Sequence, residues 1–257
     1  MNAAMKLEEP EYHQSALGVY LKCQIQYYFR YILGLTRPPG AALTIGKAVD
    51  AGATHNFRQK TESRQDLPVS DVLDAFSTEF DREAPGTDWD GESAGTLKDE
   101  SAALMKLHHK IVAPRIQPVT MKEQFNLETN NGFSIGGEMD VTDEKDLIRD
   151  TKTSGKKYDD DFVAHSIQAA VYDTAFEEKK GRKAKGFVFD VMKKTKVPDY
   201  QEVAGVVSEH QRQLVLGAFT NMHENLKTGR FMPAAEGAWW CSNGWCGYWD
   251  ICKGKKS

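Results

Sequence analysis

Apolar positions divide the chain into two stretches of different rhythm. After Ser15, the residues Leu17, Val19, Tyr20, Cys23, Tyr27, Phe29, Tyr31, Ile32 and Leu33 recur as on a largely buried helix. Ser15 is placed to cap that helix and Gly34 to end it, which predicts a helix over about residues 15–33. Pro38, Pro39 and Gly40 mark a loop. A second helix is expected from about Gly46 to Gln59, with amphipathic helices near residues 68–83 and 98–112 and a polar loop over Pro85–Gly95 between them. The rhythm changes after Pro118. Val119–Glu128 and Phe133–Thr142 alternate on either side of Asn130-Asn131-Gly132, which predicts a hairpin. A short strand over Asp146–Lys152 and a long helix over Asp159–Lys179, closed by Gly181, come next. Strands over Gly186–Lys193 and Gln201–Ser208 follow, joined by a Lys-rich turn with Pro198. Ser208 with Gln211 resembles a capping box for a last helix to about Lys227.

Composition narrows the class. Of 257 residues, 40% are hydrophobic and 27% charged, which is globular and argues against wholesale disorder. No apolar run approaches the roughly 20 residues of a membrane span. Met1–Tyr12 is polar and acidic without an apolar core, so no secretory signal is expected and a reducing cytoplasm is the expected location. The formal charge of −4 gives no net basic footprint for nucleic acid, although a local basic groove remains compatible with it.

The candidate chemistry centres on Asp140 and on Asp150-Thr151-Lys152. Of the four acidic-x-Lys triplets, those starting at Asp143, Glu177 and Glu178 read as solvated charge. Ile148, Asp150 and Lys152 fall on one strand face because side chains alternate with period two. Asp140, on the preceding hairpin strand, can sit beside Asp150. Two carboxylates that close repel unless a hard divalent cation lies between them. A lysine on the same face can stabilise charge developing on a phosphate. The same triplet also suits an exposed ion-pair patch on an edge strand. In the next helix, Gln168 and Tyr172 are four apart and share a face, which His165 also joins.

Taken together, Gly137-Glu138-Met139-Asp140, Asp150-Thr151-Lys152-Thr153-Ser154 and Gln168-x3-Tyr172 resemble the PD-(D/E)XK nuclease superfamily. More narrowly they resemble its RecB-like branch, with the AddB and CRISPR-adaptation nucleases and phage exonucleases. The aromatic helix around Cys23 and the Glu123-Gln124-Phe125 strand are similar too, so the resemblance spans roughly residues 15–252. It implies an α/β fold of restriction-endonuclease type: a mixed central sheet flanked by helices, in a single nuclease domain. Residues 15–115 would be its mainly helical part and 119–230 its core. It further implies a Mg²⁺- or Mn²⁺-dependent deoxyribonuclease, most simply an exonuclease of recombination or repair, compatible with a phage gene and then acting in the host cytoplasm. Asp140 and Asp150, with the Thr151 carbonyl, would hold the metal. Lys152 would act on the transition state, Gln168 and Tyr172 would position it or the DNA, and Glu123 would contribute from farther out. Where the family has Gly-x3-His, this chain has Gly46-x3-Asp50. Asp50 is the preferred ligand and His55 the alternative. Five residues are about 500° of helix rotation, roughly 140° off in direction, so a regular helix cannot aim both at one metal.

Cys241-x4-Cys246-x5-Cys252, with Cys23 far upstream, is a thiol set with four of the five tryptophans around it. Such thiolates suit iron or zinc. The resemblance implies a [4Fe–4S] clasp, although the family spacing has two residues between the first two C-terminal cysteines. A structural Zn²⁺ on the same four cysteines is the alternative. Lys152, Lys156 and Lys157, then Lys193, Lys194 and Lys196, and last Lys253, Lys255 and Lys256 are candidate phosphate contacts. A catalytically inactive, Fe–S- or Zn-stapled DNA-binding module is the competing reading, and RNA is a competing substrate. A recombination partner protein is compatible with either, and oligomeric state is not legible.

Overall fold

The computed structural model describes residues 9–254. In chain order the elements are β1 (Glu11–His13), α1 (Gln14–Lys22), α2 (Gln24–Tyr27), α3 (Ala41–Ser63), α4 (Val69–Glu83) and α5 (Ala94–Leu107). Next come β2 (Pro118–Glu128), β3 (Ser134–Asp143), β4 (Leu147–Ser154), α6 (Phe162–His165), α7 (Ile167–Lys180), β5 (Gly186–Lys193) and β6 (Asp199–Gly205). α8 (Glu209–Thr228) and α9 (Trp249–Lys253) complete the chain. The strands join in the order β1-β3-β4-β5-β6, and β2 also pairs with β3. β1–β3 and β4–β5 are parallel, whereas β3–β4 and β5–β6 are antiparallel, so the sheet is mixed. Among the described residues, no helix is long and apolar enough to cross a membrane.

The chain forms two compact units. One contains the residues up to Arg37, Asn126–Gly137 and Glu209 onward; the other contains Pro38–Phe125 and Glu138–Ser208.

In the first unit, the helix expected over residues 15–33 is broken. Cys23 is extended at φ −166° and ψ 113° and ends α1. The break has a partner far along the chain: the Ile25 amide donates to the Met232 carbonyl, and the Met232 amide donates to Gln24 Oε1. Tyr28–Ile32 then continues as a π-helical turn, and Gly34 leaves it at φ +64°. The wider turn carries the Tyr27–Tyr31, Tyr28–Phe231 and Phe29–Tyr248 ring contacts. The short strand β1, in parallel register with Ser134–Gly136, lacks the length for a readable alternation.

In the second unit, α3 begins at Ala41, one turn earlier than expected, and packs against α4, α5 and β4. Phe57, Leu104, Ile116, Val141 and Met192 join helices to the sheet in one buried cluster. The expected 159–179 helix is two helices, because Ser166 is extended and caps α7 through the Ala169 amide. Gly181 closes α7 in the left-handed conformation at φ +65°. The last strand ends at Gly205 rather than at Ser208.

A buried ion network sets the register of this sheet. Arg149 on β4 donates from Nε to Asp143 on β3 at 3.0 Å and from Nη1 to Asp190 on β5 at 3.0 and 3.1 Å. Tyr200 on β6 donates to the same Asp190 at 2.7 Å. Slipping any of these strands by one residue would bury unpaired charge as well as invert the faces. Asp143 is therefore a correction to the sequence reading: it is 4% exposed and paired, not solvated.

Candidate active site

The antiparallel register pairs Val141 with Arg149 and Thr142 with Ile148, and its continuation sets Asp140 against Asp150. Alternation then sends Arg149 to one face of β4 and Asp150 to the other. Asp150 is 2% exposed. Its Oδ1 accepts from Gln168 Nε2 on α7 at 2.5 Å. Its Oδ2 lies 2.8 Å from Lys152 Nζ, an ion contact outside hydrogen-bond geometry, so among the described residues this buried oxygen has no hydrogen-bond partner.

Asp50 projects from α3 and Asp140 from β3, and one lysine joins them. Lys122 Nζ on β2 is 2.9 and 2.8 Å from the two Asp50 oxygens and 2.7 Å from Asp140 Oδ1. Glu138 Oε1 is a further 3.7 Å contact.

The electrostatics follow from burial. Burial pushes the Asp150 carboxyl well up, Lys152 opposes this, and Asp140 adds to it. Asp50 is also raised, by burial and then by Asp140, with Lys122 pulling the other way. For Lys152 burial alone would favour the neutral amine, but adjacent Asp150 more than offsets it, and the pKa is raised. Lys152 is therefore an ammonium, a donor and charge rather than a base. Tyr172 is 7% exposed and its pKa is raised by burial, then by Asp140 and Asp150, so it stays a neutral phenol. Tyr172 also meets Phe125 edge to face, with centroids 5.6 Å apart.

Thus Asp50, Asp140, Asp150, Lys152, Gln168 and Tyr172 come together, and Thr151 stands in β4 between Asp150 and Lys152. His55 does not join them; it is exposed on α3. Glu123 turns the other way. It bonds Thr120 at 3.1 Å and pairs with Lys180 at 2.9 Å and Lys179 at 4.0 Å. His165 lies beyond the Ser166 break, exposed, and contacts Asp161 at 3.2 Å instead of sharing the Gln168 face. Lys193 is a second correction: it is 6% exposed and paired with Asp199, so it is no free phosphate contact. Lys156 and Lys157 are exposed, while Lys255 and Lys256 lie outside the described residues.

Two site residues escaped the sequence reading. Lys122 was hidden because its reach depends on a left-handed backbone, φ +50°, inside a strand. Tyr158 packs on Phe162 at 4.4 Å and is raised in pKa by burial, with Lys152 opposing. An aromatic six residues after Lys152 in a polar loop was the available signal.

The donor set suits a hard cation: carboxylate oxygens, one of them buried and without a hydrogen bond. Among the described residues, no three His, Cys, Asp or Glu side chains form a ready-made cage, and Asp50 and Asp140 are turned onto Lys122 instead. In the other unit, Cys23, Cys241, Cys246 and Cys252 line one cavity of about 20 Å³, with Phe29, Tyr248 and Trp249 around it. Burial raises the Cys252 thiol, Lys253 lowers it, and the other three cysteines raise it further.

The family model described as the PD-(D/E)XK nuclease superfamily matches residues 13–253. No protein of curated function matches the chain in sequence. Among solved structures, a candidate exonuclease from Eubacterium rectale is 18% identical, with 97% of this chain and 89% of that one covered and a TM-score of 0.63. A second, SSO0001, is 15% identical over 91% of this chain and 96% of that one, with a TM-score of 0.36. The first likeness is one of fold.

Proposed function

Because this chain belongs to the PD-(D/E)XK nuclease superfamily, whose members hydrolyse phosphodiesters and generally use Mg²⁺ or Mn²⁺, we propose that it is a metal-dependent DNA exonuclease of the RecB-like branch. The observation that carries this reading is the opposition of Asp140 and Asp150 across β3–β4, with Lys152 at 2.8 Å and Gln168 at 2.5 Å. Asp140, Asp150 and Asp50, with the Thr151 carbonyl, are the residues that would hold the metal. A divalent ion there supplies a lowered pKa for a water nucleophile and positive charge at the phosphate. The chain's own residues do the rest. Gln168 fixes the Asp150 carboxyl through Oδ1 and leaves Oδ2 to face the reaction. Lys152 keeps an ammonium beside that oxygen, where the attacked phosphate gains negative charge. Tyr172, neutral and wedged against Phe125, holds the α7 face in place.

The Eubacterium rectale neighbour and the resemblance to phage and repair nucleases support the exonuclease mode and a role in recombination or repair. Closed circular and end-labelled linear DNA, each with Mg²⁺ and with Mn²⁺, test it. Linear DNA should be consumed from the labelled end and circles should survive. Cut circles would make the protein an endonuclease, and two intact substrates in both metals would remove the nuclease reading.

The same proposal gives Cys23, Cys241, Cys246 and Cys252 a [4Fe–4S] cluster, with Zn²⁺ as the alternative. Its support is that four thiols from distant parts of the sequence line one small cavity screened by aromatic rings.

A further inference from the structure

Lys122 is the residue that the proposed chemistry leaves unexplained. Its backbone is left-handed, φ +50°, which is unfavourable for an L side chain in a strand. Its side chain is 18% exposed, and its ammonium lies between Asp50 and Asp140, which come from different elements. Both Asp50 oxygens and one Asp140 oxygen are within 2.9 Å of Nζ. Ammonium is a compact point charge with three donors, the closest thing in a polypeptide to a bound cation.

Resting on the reading of this site as a divalent-metal site, we infer that Lys122 is a tethered cation that competes with the metal for Asp50 and Asp140. A Mg²⁺ or Mn²⁺ ion needs carboxylate oxygens at about 2.0–2.2 Å, and it cannot share those oxygens with an ammonium already among them. The metal therefore binds only after Lys122 swings out, which its four-carbon stem and partial exposure permit. Lys152 differs in that it meets a single carboxylate oxygen, Asp150 Oδ2, and does not bridge Asp50 and Asp140 as Lys122 does. The apparent metal affinity of the free protein is lowered by the fraction of molecules in which Lys122 is already out. The released ammonium then stands at the rim of the metal site, available to a phosphate.

Binding of Mn²⁺ alone, counted from the signal of free Mn²⁺ by electron paramagnetic resonance, tests this without any cleavage. If the Lys122-out form is a minor state of 10% or less, Lys122→Met binds Mn²⁺ at least about tenfold more tightly than wild type. The variant also melts earlier in EDTA, because Asp50 and Asp140 lose their counter-charge. A second measurement uses the wild-type chain: acetylation of Lys122, mapped by peptide mass, rises when Mn²⁺ is added. Unchanged or weaker Mn²⁺ binding in Lys122→Met, or labelling of Lys122 that Mn²⁺ leaves unchanged, overturns the inference. Asp140→Asn separates the two levels. If it loses Mn²⁺ binding while Lys122→Met matches wild type, only the competition fails. If Asp140→Asn binds as wild type does, the metal-site reading fails and takes the competition with it.

Discussion

The carboxylate site in one unit and the thiol cluster in the other handle the same problem differently. Carboxylates gathered together resist ionising without counter-charge, and Asp50, Asp140 and Asp150 stand against Lys122 and Lys152. Thiols are neutral unless something takes their protons, so four of them line one cavity at no such electrostatic cost. Burial reinforces the contrast, because it raises the Cys252 thiol and keeps it protonated. A carboxylate cluster thus needs cations of its own, whereas a thiol cluster stays neutral and would give up protons only to a bound metal.

The largest effect should come from the thiol side. Cys23 and Cys241 are 218 positions apart, and closing a loop of that length corresponds to roughly 5 kcal/mol in the chain-entropy picture. Anaerobically purified protein should be brown with roughly four irons per chain if the cluster is [4Fe–4S]. Cys23→Ser should lose the colour as completely as Cys246→Ser, and both should melt about 10 °C or more below wild type. A colourless protein with one zinc would keep the clasp and replace the cluster. Full metal content and stability in Cys23→Ser would make Cys23 an ordinary core residue.

The carboxylate side should respond in rate rather than in stability. Lys152→Ala should slow cleavage by about 10²–10³, or ~3–4 kcal/mol, the range for removing one donor aimed at developing charge. Folding and DNA binding should be retained, as checked by melting and by gel shift. A near wild-type rate would take Lys152 out of the mechanism.

This contrast was only partly legible in the sequence. Period-two alternation after Asn130-Asn131-Gly132 placed Asp140 at the end of its strand, the short strand Asp146–Lys152 placed Asp150 beside it, and Gln168-x3-Tyr172 placed their helix. Those signals are local, and they survive into the fold. What escaped depends on partners on other strands or far along the chain. Arg149 looks like an ordinary strand arginine until Asp190 and Tyr200 are beside it. Asp143 reads as solvated charge because its partner lies across a hairpin. The break at Cys23 comes from a backbone bond to Met232, which no helical periodicity can register.

A third prediction sharpens the rule that buried charge needs a partner. His108 is 1% exposed on the π-helical turn His108–Val112, edge on to Phe57, and among the described residues neither ring nitrogen has a hydrogen-bond partner. Burial, then His109, lowers its pKa to about 4 from 6.5. The unfolded chain therefore binds a proton that the folded one refuses, and stability is lost as pH falls from about 6.5 towards 4. The loss amounts to about 3 kcal/mol at the acid end. His108→Phe should flatten this slope, measured as denaturation midpoint against pH. An unchanged slope would show that His108 takes up a proton inside the fold.

The smallest effect separates the two candidate helix ligands. Asp50 faces Asp140 through Lys122, and both burial and Asp140 raise its pKa, as expected of a carboxylate that lacks enough positive charge. His55 is exposed on another side of α3. Asp50→Ala should raise the Mn²⁺ concentration for half-maximal cleavage by about tenfold, comparable to losing a supporting partner of a metal ligand. The shift is limited because the substitution acts twice. It removes one oxygen ligand, and it also leaves Lys122 with only Asp140 and the more distant Glu138 to hold it. Lys122→Met in the Asp50→Ala background should then recover part of the affinity, since the competing ammonium is gone while the remaining carboxylates stay. His55→Ala should leave the metal curve where it is. If only His55→Ala moves it, α3 is rotated in the working enzyme and Asp50 serves Lys122 alone.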